Sequence, residues 1–293
     1  MKKAKVYFTK EISEQKVVEM FKVLNKELKG NVAVKVHSGE KGNQNYLRAE
    51  FLKPIIDYVN GTVVECNTAY EGARDTTEKH KKLIEEHGWS KLFNVDILDS
   101  EGPDLVLDIP EGKVIKKNYV GKNIENYDSM LVVSHFKGHP MGGYGGALKQ
   151  LSIGIASSKG KRYIHCVGKE NGTYEDMFKV EQIKFLESMA DSAKSVVDYF
   201  KDNIVYINIM CNMSVDCDCC ANAKDPCIKD IGILSSTDPV ALDKACIDLV
   251  YNSNDPGKEH LIERIESRQG IHTIDASYEL GIGTKEYELI EVK

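Results

Sequence analysis

Strand-like and helix-like stretches alternate three times in the first ninety residues, and this alternation most narrows the folds open to the chain. "KAKVYFTK" reads as a short strand and "SEQKVVEMFKVLNKEL" as a helix with Ser13 as its N-cap. "NVAVKVHSG" and "YLRAEFLKPIIDYVN" repeat the pair, the helix carrying Pro54, a residue that can kink it. "GTVVECNTA" and "TTEKHKKLIEEHGW" repeat it again, with Gly88 closing the third helix. Each helix buries one face against the sheet it follows. The pattern therefore predicts an α/β fold, a mostly parallel sheet covered by helices.

The middle of the chain is less regular. "FNVDILD", "DLVLDIP" and "KVIKKNYV" arrive without helices between them and read as an antiparallel excursion over residues 90–125. "SMLVVSHFKG" then returns as an apolar, central strand. It leads into a glycine-rich turn and a small-residue helix in "GGALKQLSIGIASS". A long helix is expected from residue 176 through "DMFKVEQIKFLESMADSAKSVVDYF", followed by the buried strand "NIVYINIM". "DIGILSSTDPVALDKACIDLVYN" gives a strand and then a helix capped by Asp238, with Pro239 in its first turn. With no repeat, low-complexity tract or evident linker, residues 1–293 read as one α/β domain.

Composition limits the partners. The chain has 293 residues, 29% of them charged, a net charge of −6 and a pI near 5.8. Proteins that bind nucleic acid or anionic membranes usually present a basic face, so neither partner is expected. The stretch "MKKAKVYFTKEISEQK" lacks the apolar segment of a secretory leader, and no run approaches the roughly 18 apolar residues of a membrane span. A cytoplasmic setting is the expectation.

In such a setting the eight cysteines read differently from a disulfide framework. Cys66, Cys166 and Cys246 stand alone, whereas Cys211, Cys217, Cys219, Cys220 and Cys227 fall within seventeen residues. Cys211 ends a buried strand and reads as core. The remaining four are candidate metal ligands, since thiolates suit iron–sulfur clusters, zinc and copper(I). Cys217 and Cys220 have C-x-x-C spacing, and the adjacent Cys219 and Cys220 can reach different corners of a cluster. Asp216 and Asp218 add negative charge that raises thiol pKa values in the absence of metal, which favours a bound cation. The cofactor expected is an iron–sulfur cluster, 4Fe–4S, with zinc as the alternative. A transient disulfide and a structural role for the thiols stay open.

Loops after parallel strands gather ligands. Lys35 and His37 in "KVHSGEKGNQN" share a strand face, and "SHFKGHPMGGYGGALK" supplies His135, Lys137, His139 and Lys149. With His165 these are candidate proton carriers or ligands, so His37, His135, Lys137, His139, Lys149 and His165 form the catalytic set. Lys35 and the glycines Gly142, Gly143, Gly145 and Gly146 are the candidate cofactor or anion contacts, because glycines before a helix let N–H groups approach an anion. The stretch completes neither G-x-x-x-x-G-K-[ST] nor G-x-G-x-x-G, whose last position is Leu148, so close helix–sheet packing is an equal reading. His80 and His87 read as surface or capping residues of the third helix.

"VVSHFKGHPMGGYGGALKQLSIGIASSKGKRYIHC", "DCDCC" and "DIGILSSTDPVALDKACIDLV" resemble the hallmark stretches of the domain of unknown function 362 family. "KVHSGEKGN" and "YEGARDTTEKHKKLIEEHGW" are similar to its N-terminal half, so the resemblance spans nearly the whole chain. Many relatives carry an inserted ferredoxin-like module and are described as iron–sulfur-binding. This chain passes from "RYIHCVGKENG" to the long helix without a C-x-x-C-x-x-C run, so that part of the description does not carry over. The matching core implies Lys35, His37, His135, Lys137, His139, Lys149, His165, Cys217, Cys219 and Cys220, but no reaction.

Two function classes follow. One is an iron–sulfur enzyme or electron carrier with redox or sulfur-related activity on a small anionic substrate, with a ferredoxin as a candidate electron donor. The other is a non-redox anion-binding protein with a structural metal, or a zinc-dependent hydrolase in which His135 or His165 completes the ligand set.

Overall fold

A computed structural model describes residues 3–293. In chain order the elements are β1 (Ala4–Thr9), α1 (Glu14–Lys22), β2 (Val32–Lys35), α2 (Ala49–Tyr58), β3 (Thr62–Glu65), α3 (Thr77–Glu86), α4 (Trp89–Leu92) and β4 (Val95–Ile97). There follow β5 (Leu105–Asp108), β6 (Lys117–Val120), β7 (Ser129–His135), β8 (Lys137–His139), β9 (Gly143–Gly145), α5 (Ala147–Ser152), α6 (Ser158–His165) and α7 (Gln182–Phe200). The last are β10 (Ile204–Met210), β11 (Gly232–Ser236), α8 (Pro239–Tyr251), α9 (Lys258–Ser267), α10 (His272–Glu279) and β12 (Tyr287–Glu291).

The main sheet runs β12-β1-β11-β10-β7-β2-β3-β4. Strands β10, β7, β2, β3 and β4 pair in parallel, and β12 is parallel to β1. Only β11 runs against its neighbours, pairing antiparallel with both β1 and β10. The fold is thus α/β with a mostly parallel sheet, as the alternation predicts. Burial explains the apolar strands: Leu131 and Val133 of β7 face the layer of α1 and α2, and Met130 and Val132 face the layer of α5, α7 and α8. A strand covered on both faces has no polar side to show.

Ser13 accepts a hydrogen bond from Lys16 N and Asp238 one from Ala241 N, the two caps read from the sequence. Gly88, at φ +82°, follows the end of α3. Three expectations need correction. "FNVDILD" contributes β4 to the parallel sheet, beside β3, so the antiparallel excursion is only the β5–β6 ribbon. The long helix begins at Gln182, because residues 175–178 form a separate 3₁₀ turn. His80 is fully buried and bonded to Asn67 Oδ1, so it is no surface residue. For α9, α10 and β12 the sequence reading gives no expectation.

Topology fixes where a ligand can sit. The chain builds β2, β3 and β4 outward in one direction, then returns to lay β7 and β10 on the other side of β2. This reversal leaves a crevice beyond the C-terminal ends of β2 and β7, the usual binding place in an open parallel sheet.

Candidate metal centre and pocket

Four loops leave C-terminal strand ends at that crevice. Residues 36–46 follow β2, residues 66–76 follow β3, the β8–β9 ribbon follows β7, and the cysteine loop follows β10. Hydrogen bonds tie them together. Glu40 N donates to Asp218 O at 2.9 Å, and Asn43 Nδ2 donates to Cys220 O at 2.9 Å. Gly138 N donates to Ser214 O at 2.8 Å. A Cβ on Gly138 would stand 2.3 Å from Val215 O, so only glycine lets the cysteine loop lie against β8.

That contact brings Cys217 and Cys219 to His139. One ligand atom from each of the three lies within 4.8 Å of the others, a grouping that can hold a metal ion. Cys217 is fully buried. A hydrogen bond from the Cys219 thiol, with Lys149, Lys137 and His139 nearby, holds its pKa well below the ordinary thiol value against the opposing effect of burial. Lys149 Nζ is 3.9 Å from Cys217 Sγ, and Cys219 N donates to the same sulfur at 3.4 Å. The proton is left on Cys219, whose pKa is raised by that bond. The acids beside the thiols are expected to raise their pKa values, and for Cys217 and Cys220 the reverse holds. Asp218 is engaged elsewhere: Lys137 Nζ reaches it at 2.8 Å and His135 Nδ1 at 3.0 Å.

His135 is thereby taken up. Its Nε2 donates to Cys211 O at 2.6 Å, so neither ring nitrogen is left for a ligand. His135 and Lys137 anchor the cysteine loop through Asp218, whose pKa is depressed because these charges outweigh its burial. Cys220 adjoins the group through a hydrogen bond with the Cys219 thiol. Cys227 stands apart, its Sγ donating to Met213 O at 3.4 Å.

The glycines serve packing. Ala147 N and Leu148 N donate to the Asp243 carboxylate at 2.8 and 2.9 Å, so the anion at the start of α5 is the protein's own. Gly146 is required there, since a Cβ would lie 2.5 Å from Asp243 Oδ1. Gly143 packs against Gly270, and Gly145 lies against the Lys137 side chain. Gly142 N donates to His139 Nδ1 at 2.8 Å and so orients that ring.

A cavity of about 300 Å³ opens beside the Cys/His group, with His139 and Cys219 in its wall. Lys35, His37, Lys149 and His165 also face it. Lys35 is paired with Glu65 at 2.6 Å, and Glu65 in turn accepts from Ser38 N and Oγ. Burial keeps the histidines neutral, pushing His37 well below its usual range and His165 down to about 3. Their hydrogen bonds set the tautomers. His37 Nδ1 accepts from Gly39 N, leaving its proton on Nε2, whereas His165 Nδ1 donates to Lys161 O, leaving a lone pair on Nε2.

Sequence reasoning missed Glu65, Arg74, Lys161 and Asp243. Lys161 had a signal, standing four residues before His165 on one helix face. Glu65 and Arg74 had none, because their partners come from other loops.

The fold and this site define an α/β protein with a thiol–imidazole group at the edge of a pocket whose largely apolar wall also carries cationic side chains. The chain belongs to the family described as "Domain of unknown function (DUF362)", whose pattern it matches over residues 32–248. No curated protein matches it. Among solved structures it is similar to the lactate racemase apoprotein from Thermoanaerobacterium thermosaccharolyticum, at 13% identity and a TM-score of 0.44, over 98% of this chain and 82% of that one. It is also similar to a structural-genomics protein from Thermotoga maritima, at 12% identity and a TM-score of 0.44, over 82% of this chain and 59% of that one. Among the described residues no helix is long and apolar enough to cross a membrane.

Proposed function

We propose that His139, Cys217 and Cys219 hold a single thiophilic metal ion at the pocket wall, and that the protein is a metal-dependent enzyme acting on a small anionic molecule. The observation that carries this reading is the meeting of three soft or borderline donors within 4.8 Å, two of them facing the cavity. Three protein ligands with a position left open is the arrangement of catalytic rather than structural zinc. Such an ion supplies Lewis acidity to a bound oxygen. The chain's own residues would position the reactant: Lys149 beside Cys217, and His37 as an Nε2–H donor. Metal and acid-labile sulfide content of protein purified without oxygen tests the reading, with Cys219→Ser as the control. About one zinc or iron per chain without sulfide, lost in the variant, supports it. Iron and sulfide in near-equal amounts would instead favour a cluster that recruits Cys220, redox or sulfur chemistry, and an external donor such as a ferredoxin. A folded protein with neither metal refutes both.

A second reading is favoured by one feature of His139. Its Nδ1 accepts from backbone N–H groups, so the neutral ring carries its proton on Nε2 and donates it to Cys217. A metal-ligating histidine more often donates its second nitrogen outward. In this reading Cys217 is a thiolate nucleophile held by His139, Lys149 and Cys219 N. A thiolate ultraviolet band in folded, metal-free protein that is lost in Cys217→Ser and persists well below the ordinary thiol titration range supports it, and absence of that band removes it.

A further inference from the structure

Among the described residues, the charges around the pocket pair off with one exception. Lys35 has Glu65 at 2.6 Å, Arg74 has Glu40 at 3.1 Å, Lys137 has Asp218 at 2.8 Å, and Lys149 has the Cys217 sulfur at 3.9 Å. Lys161 has no such partner. Its side chain lies in the pocket wall, the residue is 8% exposed, and among the described residues the one hydrogen bond of its side chain is from Nζ to Ala156 O at 2.6 Å. Among the described residues no carboxylate comes within ion-pair distance of it. The acidic groups whose charge it feels are already used: the Cys66 thiol donates to Ile155 O at 3.2 Å and burial pushes its pKa up, Glu65 is held by Lys35 and Ser38, and Asp99 by the N–H groups of Asn67 and Ser158. A buried ammonium without a counter-ion is costly, and burial does lower the Lys161 pKa.

We propose that Lys161 is the anion anchor of the pocket and that the ligand it holds is a small monocarboxylate with an apolar body. Two features select that class. After the bond to Ala156 the ammonium has two protons left to donate, and its single uncompensated charge matches a monoanion better than a dianionic phosphate, whose second charge would stay unpaired in the pocket. The rest of the wall is largely apolar, with Ala69, Pro140, Met141, Ile153, Met177 and Phe178 around the space a ligand body would fill. The cavity of about 300 Å³ has room for a short-chain acid. His165, one turn further along α6, offers its Nε2 lone pair to a hydroxyl or amine on that body. Lys35, the anion contact expected from the sequence, is neutralised by Glu65 and leaves this task to Lys161.

This inference rests on the reading that the pocket holds the reactant, but it does not need the metal. Calorimetric titration of the full chain, with and without chelator, compares hexanoate, hexanamide and hexyl phosphate. A charge-assisted hydrogen bond predicts that hexanoate binds about tenfold or more tighter than hexanamide, and tighter than hexyl phosphate. In Lys161→Met, which removes the charge and keeps most of the volume, that preference falls to within about twofold. Equal binding of hexanoate and hexanamide to the wild-type chain overturns the proposal even if the variant fails to fold. So does a preference that survives in Lys161→Met, and tighter binding of hexyl phosphate overturns the choice of a carboxylate. Metal content measured on the same samples separates the two ideas. Metal bound without a hexanoate preference defeats the anchor alone, and the preference without metal defeats the metal centre alone.

Discussion

Replacing Asp218 by Asn tests whether the cysteine loop is held in place by buried charge. The carboxylate is 1% exposed, receives Lys137 Nζ at 2.8 Å and His135 Nδ1 at 3.0 Å, and lies between two of the metal-capable cysteines. Asn keeps an acceptor for His135 but turns an NH₂ group or a neutral oxygen toward a buried ammonium. Breaking a buried ion pair from one side costs about 3–5 kcal/mol, because the remaining charge is uncompensated. With a urea m-value of about 3 kcal/mol/M, the unfolding midpoint should fall by about 1–1.7 M. The double variant Asp218→Asn/Lys137→Met removes the stranded charge and should regain most of that loss. Equilibrium urea unfolding followed by circular dichroism reads all three proteins. A single variant within about 0.5 kcal/mol of wild type, or a double variant no better than the single, would refute the reasoning.

Other outcomes follow from the same geometry. Gly138→Ala forces the cysteine loop off β8, so metal bound per chain should fall while the far-ultraviolet spectrum is retained; unchanged metal content would count against the packing argument. Asp243 has a pKa pushed up by burial to about 6, so the unfolded chain releases this proton first and stability falls as pH rises from about 4 to 6. The fall attributable to this group is about 3 kcal/mol, and a stability–pH profile of Asp243→Asn should lack it. Glu65 behaves in the reverse sense: burial raises its pKa but Lys35 and its neighbours outweigh this, so its contribution is present above about pH 4.3 and lost as pH falls through the depressed native value. Acid titration of Glu65→Gln should accordingly show a flatter loss below pH 4.

The layered α/β fold, the parallel sheet and the helix caps were legible in the sequence because each depends on local order. Period-two and period-3.6 patterns show which faces are buried, and Ser13, Gly88 and Asp238 mark ends through bonds within a few residues. The thiol cluster was equally plain, since its density needs no partner to be seen. Which donors meet was not. His139 rather than His135 or His165 joins Cys217 and Cys219 because the β8–β9 ribbon folds over the loop at Gly138, while Asp218 draws His135 away. The glycine run reads as an anion cradle, yet the acid that fills it arrives from α8, almost a hundred residues later. The sequence by itself determined the layers and the kinds of chemistry carried by the loops. Only the tertiary structure decided which charges cancel, because ion pairing depends on distances between loops that no local pattern encodes, and it alone left Lys161 facing the pocket with no counter-ion among the described residues.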